Sequence, residues 1–460
     1  MKKIFISAIV ILTLIGPAGL IFAQEKPKIE TAAPAAGEQA KAAPPAPAAP
    51  VPPKIDTGDT AWMLASAALV LLMTPGLGLF YGGMVRTKNV LGTIMHSFIL
   101  IGLITVQWIL WGYSLAFGPD VGGLIGNLSW FGLKGVGLDP YPDYAATVPH
   151  QAFMIYQAMF AIITPALITG AIAERMKFKT FIVFTLLWAT LVYDPIAHWV
   201  WGVGGWIRAM GALDFAGGTV VHISSGISAL AAALLVGKRK GFGRDSMAPH
   251  NLPMTIMGAA ILWFGWFGFN AGSAIAAGKL STSAFVVTHI AAATAALSWP
   301  AAEWIYKGKP TTLGAASGAV AGLVAITPGS GFVGPISALI IGLAAGILCY
   351  AGVMGKNHFG YDDSLDVIRV HGVGKTWGAL ATGLFASKAI NDAGNNGLFF
   401  GNAGLFGVQV AAVLVTWVYA FVVTLVLLKV LDWTMGLRVS EEEEEIGLDL
   451  SQHSETGYNF

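Results

Sequence analysis

The sequence predicts an all-α integral membrane protein with eleven transmembrane helices arranged as a five-plus-five inverted repeat. Of its 460 residues, 55% are hydrophobic and only 11% are charged, whereas about a quarter of the residues in soluble domains are charged. From residue 60 onward, apolar stretches follow one another, each near the length of about 20 residues that crosses a bilayer. Two matched pairs of Asp and His relate one half of these stretches to the other.

Charge and cysteine content exclude several classes of protein. Lys plus Arg total 26 and Asp plus Glu total 25, so the chain has no basic field to hold a nucleic acid. The single cysteine, Cys349, lies in an apolar run and indicates neither a disulfide scaffold nor a thiolate metal site. The sequence has no metal-ligand cluster and no nucleophile paired with a base. We therefore expect no metal and no cofactor, and an enzyme is the least favoured class.

The amino-terminal segment precedes the predicted membrane domain. Residues 1–23 begin with Lys2 and Lys3, continue through an apolar stretch and end in small residues around Ala23. This pattern is typical of a secretory signal peptide, with an uncleaved extra helix as the alternative. Residues 24–58 are rich in Ala and Pro and cannot bury a core, so we expect an extended extracytoplasmic tether.

The predicted spans make up a membrane domain over residues 59–435, followed by a tail over 436–460. Loops after odd-numbered spans hold most of the Lys and Arg residues. The positive-inside rule then places these loops and the tail in the cytoplasm, for a multi-pass protein of the cytoplasmic membrane. The spans are predicted at 60–83, 91–117, 150–173, 178–200, 217–237, 253–273, 282–305, 312–328, 333–354, 366–387 and 403–431.

A repeated polar pattern indicates that the two halves of the chain are related. Asp214 precedes His222 by eight positions in the fifth span, and Asp363 precedes His371 by the same eight in the tenth. Five spans separate the two patterns, so the halves run through the membrane in opposite directions. Such an inverted repeat is typical of transporters that build a site near the middle of the bilayer.

The two histidines lie inside their spans, where an ionisable group is costly and is by default a functional hypothesis. His222 and His371, on related helices, could meet near the pseudo-two-fold axis. Because imidazole exchanges its proton near neutral pH, a hydrogen-bonded pair could pass a proton or contact a small polar permeant. The alternative is two separate histidines, each bonded to a neighbouring backbone carbonyl.

Aromatic residues form a second candidate site. Phe160 lies in the third span, Trp201 at the outer end of the fourth and Phe269 in the sixth. Aromatic faces stabilise desolvated cations by up to about 2 kcal/mol. Ser273, one turn beyond Phe269, adds a hydroxyl acceptor for an ammonium-like cation. The alternative is ordinary packing or an interfacial aromatic belt.

Five segments together resemble one known family, the Amt/MEP/Rh family of ammonium transporters, from residue 59 to the carboxyl end. The resemblance implies a homotrimer of eleven-span subunits in the lipid bilayer. Each subunit has its own pore, which takes up ammonium and deprotonates it on the way. The segments that carry the resemblance are 162–167, 173–175, 214–222, 265–273 and 366–372.

The resemblance also implies a role for each site residue. A dry lumen disfavours a bare cation, so a permeant that sheds its proton crosses where potassium does not. The implied roles are recruitment of ammonium by Trp201, Phe160, Ser273 and Tyr156; a gate of the stacked rings of Phe160 and Phe269; a pore lined by His222, His371, Leu167, Leu262 and Trp266; and structural tuning by Asp214, Asp363 and Asp366.

The tail extends the resemblance. Residues 436–439, 441–445 and 447–449 resemble the family's cytoplasmic tail, which docks against neighbouring subunits and binds the PII signalling protein in some members. The alternative is a solvated acidic tail, because a run of glutamates is usually solvated.

Three positions depart from the family pattern. Tyr156 stands where a Phe is common, and Arg369 stands where glycine is usual. We expect Arg369 to pair with Asp366, three residues earlier. Lys375 also replaces a usual glycine and lies four residues after the second histidine, on nearly the same helical face.

Lys375 has no evident partner in the sequence, and the same offset from the first histidine holds Gly226. A buried lysine either loses its proton or occupies the lumen as a tethered ammonium mimic. An ammonium sensor with reduced or no conduction, caused by Arg369 and Lys375, is therefore the alternative function. A general proton-coupled carrier and a gas channel of the Rh type are further alternatives.

Overall fold

A computed structural model of the chain describes residues 54–459, without the side chains of 356–359. The predicted signal peptide, and the predicted tether up to residue 53, lie outside the described residues. The first helix begins at Thr57, where the carboxylate of Asp56 accepts a hydrogen bond from the Asp59 amide at 2.9 Å. Asp at this position is a preferred helix cap, because it satisfies an amide that has no partner within the helix.

The described chain is a bundle of apolar helices, nine of which are long and apolar enough to cross a membrane. The helix α8 has only 15 residues, and α10 joins a π-helix of 6 residues to an α-helix of 12. The all-α membrane fold is confirmed, and the count of eleven spans stays a prediction. The helices are α1 (Thr57–Met84), α2 (Thr87–Phe117), α3 (His150–Ile172), α4 (178–201), α5 (Gly218–Val236), α6 (Leu252–Ala274), α7 (Lys279–Lys307), α8 (Thr312–Ile326), α9 (Pro335–Phe359), α10 (368–385) and α11 (Ala403–Met435).

Short π-helical segments interrupt several of these helices. Two lie within α2 and α4, at Trp108–Gly112 and Ala189–Tyr193. Two others form the first turns of α5 and α10, at Gly218–Ile223 and Ile368–Val373. π-Helical turns occur frequently at functional sites, and the last two contain the paired histidines of the inverted repeat.

Two small antiparallel hairpins connect α2 to α3. The strands are β1 (Asp120–Val121) with β2 (Ile125–Gly126), and β3 (Pro140–Tyr141) with β4 (Ala145–Pro149). His198 of α4 fastens the first hairpin, because its ring nitrogens lie 3.0 Å from the Ala116 carbonyl and 2.8 Å from the Asp120 carboxylate.

Glycines allow the helices to approach closely. A Cβ on Gly258 of α6 would lie 2.3 Å from the backbone nitrogen of Phe80 in α1. A Cβ on Gly226 of α5 would lie 2.5 Å from the backbone nitrogen of Gly372 in α10. Small residues at such contacts are typical of tightly packed membrane helices.

The tail packs against one end of the bundle, which we call the tail face. It contains the helices α12 (Glu441–Ile446) and α13 (Leu448–His453). The Asp449 carboxylate accepts the amides of Leu91 and Gly92, in the first turns of α2, at 3.0 and 2.7 Å. Buried Glu444 accepts the Lys240 amide at 2.6 Å. This part of the tail is therefore docked on its own chain, and contact with a neighbouring subunit stays a prediction.

Candidate functional site

Two helix starts are built in the same way. The carboxylate of Asp214 accepts the backbone amide of Thr219 at 2.6 Å and also those of the two preceding glycines. The carboxylate of Asp363 accepts the amide of Ile368 at 2.9 Å. A carboxylate at a helix start satisfies unpaired amides and complements the helix dipole. Each aspartate thus fixes the first turn of α5 or α10, and each turn carries a histidine.

The structure brings these two histidines together. The Nδ1 atoms of His222 and His371 lie 3.2 Å apart, and the ring centroids lie 5.2 Å apart at an interplanar angle of 13°. Both side chains are buried. Two facing ring nitrogens form a hydrogen bond only when one carries a proton and the other a lone pair. The histidines therefore form a pair that holds a single proton between them.

Aromatic rings continue from this pair toward the end of the bundle opposite the tail face. The ring centroids of Phe160 and Phe269 lie 4.3 Å apart at an interplanar angle of 39°. The rings are therefore tilted, whereas the resemblance implies stacked rings. Phe269 lies 5.8 Å from the ring of His222. Phe160 meets Trp201 edge-on at 5.9 Å. These rings form a continuous column with the histidine pair.

The column opens into a cavity of about 160 Å³, which we call the vestibule. Phe160, Trp201 and Ser273 line it, as the resemblance implies, and the Ser273 hydroxyl donates to the Phe269 carbonyl at 2.9 Å. Further lining residues were not predicted from the sequence, and they include Asp143, Tyr144, Gln157, Arg208 and Phe215. Gln157 could have been predicted as a site residue, because it is a polar side chain in an apolar span. Nothing in the sequence indicated the loop residues.

Tyr156 is buried beside the vestibule and does not line it. Its hydroxyl lies 2.9 Å from the carbonyls of Gly268 and Phe269, and 3.1 Å from the Ser273 hydroxyl. The tyrosine therefore ties α3 to the backbone of α6 and contacts the site through Ser273.

A second cavity of about 160 Å³ begins at the tail face and reaches His371. Glu303, Lys307 and Asp366 are among its polar lining residues. The histidine pair and the ring of Phe269 thus lie between this tail-side cavity and the vestibule.

Three further predicted pore residues are buried in the same apolar cluster as the aromatic column. Trp266 stacks on His222, with centroids 5.4 Å apart at 9°. Leu167 and Leu262 are each 2% exposed.

Comparison with known proteins decides the family. The profile of the Ammonium Transporter Family matches residues 61–458. The chain belongs to this family. It is 54% identical over 402 residues to the ammonium transporter of Bacillus subtilis, covering 87% of this chain and 98% of that protein. It is 52% identical to ammonium transporter Amt1 of Archaeoglobus fulgidus, covering 87% and 99%. The crystal structure of Candida albicans Mep2 superposes with a TM-score of 0.80 at 37% identity, covering 85% and 88%.

Within this family fold, Arg369 has a different partner from the one that the sequence predicts. Its Nη1 atom lies 2.7 Å from a carboxylate oxygen of Asp363, and the guanidinium lies 4.5 Å from the ring of Tyr361. The expected pairing with Asp366 assumed a helix through both residues. Asp366 instead has φ +58°, so the chain turns there before α10 begins.

Lys375 is fully buried, and its side chain is directed at α8. Its Nζ atom donates a hydrogen bond to the backbone carbonyl of Val324 at 2.6 Å. The lysine thus has the partner that was not evident in the sequence, and this partner is a carbonyl rather than a carboxylate.

Proposed function

We propose that the chain carries ammonium across the cytoplasmic membrane by binding the cation in the vestibule, removing its proton and passing ammonia through an apolar pore lined by the paired histidines. One observation carries this proposal. Phe160, Phe269, His222 and His371 form an unbroken sequence of rings between two cavities that approach from opposite ends of the bundle. Membership of the Ammonium Transporter Family supports ammonium as the substrate.

The vestibule has the chemistry that an ammonium ion needs. The rings of Phe160 and Trp201 line the cavity, and aromatic faces attract cations more strongly once water is removed. The Ser273 hydroxyl and the Gln157 amide supply acceptors for the N–H groups of the ion. The Oε1 atom of Gln157 is buried and has no hydrogen-bond partner among the described residues, so it is available to a ligand.

The gate and the lumen select for a permeant that loses its charge. Beyond Phe160 the path is bounded by Phe269 and Trp266, which offer no carboxylate to a cation. Moving a bare ion into such surroundings costs several kcal/mol, and neutral ammonia avoids this cost. A potassium ion has no proton to release, so the same cost excludes it.

The histidine pair gives the released proton a path. When an N–H bond of ammonium breaks, its electron pair stays on ammonia and the proton transfers to an imidazole nitrogen. The Nδ1 atoms of His222 and His371 share one hydrogen bond, along which the proton passes from the vestibule side to the tail side. Imidazole suits this role because one of its ring nitrogens can accept a proton while the other donates one.

The orientation and assembly belong to the same proposal. We place the tail face in the cytoplasm because Lys and Arg are concentrated in the loops at that face. A homotrimer with one pore in each subunit, and binding of a PII protein to the tail, remain predictions.

Transport is favoured over ammonium sensing. Relatives of 52–54% identity are named ammonium transporters. The two atypical cations, Arg369 and Lys375, also have partners in the protein, which are Asp363 and the carbonyl of Val324.

The experiment is an ammonium pulse applied to proteoliposomes that contain the full chain, with His371→Ala as the variant and protein-free liposomes as the control. The proposal predicts a current or ammonia uptake in the wild type that is lost or strongly altered in His371→Ala. Ammonium binding by calorimetry, without transport by the wild type, would contradict the proposal and support a sensor.

A further inference from the structure

The end of α8 leaves a backbone carbonyl without its helical partner. In an α-helix the amide of each residue donates to the carbonyl four residues earlier. Four residues after Val324 stands Pro328, which has no amide proton. Thr327 between them keeps helical angles, φ −50° and ψ −45°, so the interruption comes from the proline and not from a change in chain direction. A carbonyl without a partner inside a membrane protein is strongly unfavourable.

Lys375 supplies the missing donor. Its Nζ atom lies 2.6 Å from the Val324 oxygen, and the residue is completely buried. Lys375 belongs to α10, four residues beyond His371. One hydrogen bond therefore joins the helix of a pore histidine to the interrupted end of α8.

The contacts continue from α8 to the other histidine. Thr327 accepts a hydrogen bond from the indole of Trp266 at 2.9 Å. Trp266 stacks on His222 at 5.4 Å, and His222 meets His371 at 3.2 Å between Nδ1 atoms. Together with the Lys375 hydrogen bond, these contacts form a closed circuit. Lys375 of α10 holds the end of α8, and the end of α8 orients His222 through Trp266.

The first half of the protein contains the same tripeptide ending in a proline, but no lysine accompanies it. The tripeptide Ile-Thr-Pro occurs at 163–165 in α3 and at 326–328 at the end of α8. α3 continues past its proline to Ile172, whereas α8 stops. Gly226 occupies the position in α5 that corresponds to Lys375. The lysine thus stands in the half of the protein where the helix ends.

We propose that Lys375 is a positioning residue for ammonium transport, which fixes the end of α8 through the Val324 carbonyl and thereby holds His222 against His371. This role rests on the proposed function. It differs from that of a lumen-blocking cation, because the role comes from the N–H donor of the lysine rather than from its charge.

The test compares Lys375→Met with the double variant Lys375→Met/Pro328→Ala in proteoliposomes. Methionine keeps the length of the side chain and removes the donor, whereas the Pro328→Ala change restores a backbone amide that reaches the Val324 carbonyl. We expect Lys375→Met to lower the maximal rate about tenfold or more, because small displacements of reacting groups have effects of this size. The half-saturation concentration should stay within about twofold, because the vestibule is unchanged. The double variant should recover most of the rate.

Three other outcomes would contradict a positioning role for Lys375. A higher rate in Lys375→Met identifies the lysine as a block of the pore. Equal losses in the single and double variants show that charge, rather than the donor, is what matters. A crystal structure of Lys375→Met with the Nδ1 distance unchanged also contradicts positioning. Failure of the wild type to transport ammonium in the same liposomes, by contrast, counts against the proposed function itself.

Discussion

His222 and His371 meet through their Nδ1 atoms at 3.2 Å although 149 positions separate them in the sequence. Each comes from a π-helical first turn that begins beside a buried or half-buried aspartate. The pair is therefore a product of two equivalent helix starts that face each other. Its geometry depends on the groups that fix those starts, and this dependence leads to the first prediction.

Removing the Asp363 carboxylate should destabilise the protein more than removing the Arg369 guanidinium. Asp363→Ala leaves Arg369 buried without a carboxylate, which costs about 3–5 kcal/mol. Arg369→Met leaves Asp363 bonded to the amide of Ile368, and we expect a loss of about 1–2 kcal/mol. Thermal unfolding in detergent measures both changes, and equal shifts in Tm would contradict this account of the second helix start.

Trp201 should determine the apparent affinity for ammonium. We expect Trp201→Leu to raise the half-saturation concentration about tenfold, because a desolvated cation–π contact contributes about 1–2 kcal/mol. Trp201→Phe keeps an aromatic face and should change it less. Trp199→Leu, two residues earlier on a side chain outside the vestibule lining, is the matched control. A Trp199→Leu effect as large as that of Trp201→Leu would rule out a specific role for the vestibule ring.

Tyr156 should matter for stability more than for ammonium binding, since its hydroxyl bonds the backbone of α6 and the residue does not line the vestibule. We expect Tyr156→Phe to lower the free energy of unfolding by about 1 kcal/mol. The half-saturation concentration should stay within about twofold of the wild type, whereas Ser273→Ala should raise it. The transport assay measures the half-saturation concentration of both variants. A large loss of affinity in Tyr156→Phe would show that Tyr156 belongs to the recruitment site after all.

Acid should weaken the loop between α9 and α10 through Asp362. Burial raises the pKa of this carboxyl, but hydrogen bonds from Arg239 at 2.9 and 3.0 Å and the nearby Arg175 outweigh burial and lower it below its ordinary value of 3.8. A depressed native pKa means that the ionised group stabilises the fold above pH 3.8 and that this contribution is lost as the pH falls through the lower native value.

We therefore expect the Tm of the wild type to decrease as the pH is lowered below 3.8, and the decrease to be smaller in Asp362→Asn. Circular dichroism melts at a fixed ionic strength measure this difference. Parallel pH profiles for the two proteins would show that another group causes the acid sensitivity.

Much of the fold could be predicted because apolar length determines where helices cross a membrane. The predicted third span, 150–173, nearly coincides with the helix His150–Ile172. The fourth was predicted to end at 200, and its helix ends at Trp201, where Gly202 takes an extended conformation. The hairpins after α2 were missed, since strands of two to five residues leave little periodicity.

The site was predictable in its residue types and less so in its contacts. Equal spacing identified the two Asp and His pairs, but spacing alone does not specify that Nδ1 faces Nδ1. The predicted partner of Arg369 was wrong because the positive φ at Asp366 was not evident in the sequence. The partner of Lys375 could have been predicted, because Pro328 indicates that the Val324 carbonyl lacks its helical donor.

The central claim is that a cation passes the histidine pair only after it has released its proton and become neutral. The most direct measurement applies equal pulses of ammonium and of potassium to the same proteoliposomes, because the two ions are similar in size and differ in their chemistry. We predict transport of ammonium and none of potassium. A potassium current comparable to the ammonium current, absent from protein-free liposomes, would contradict the claim.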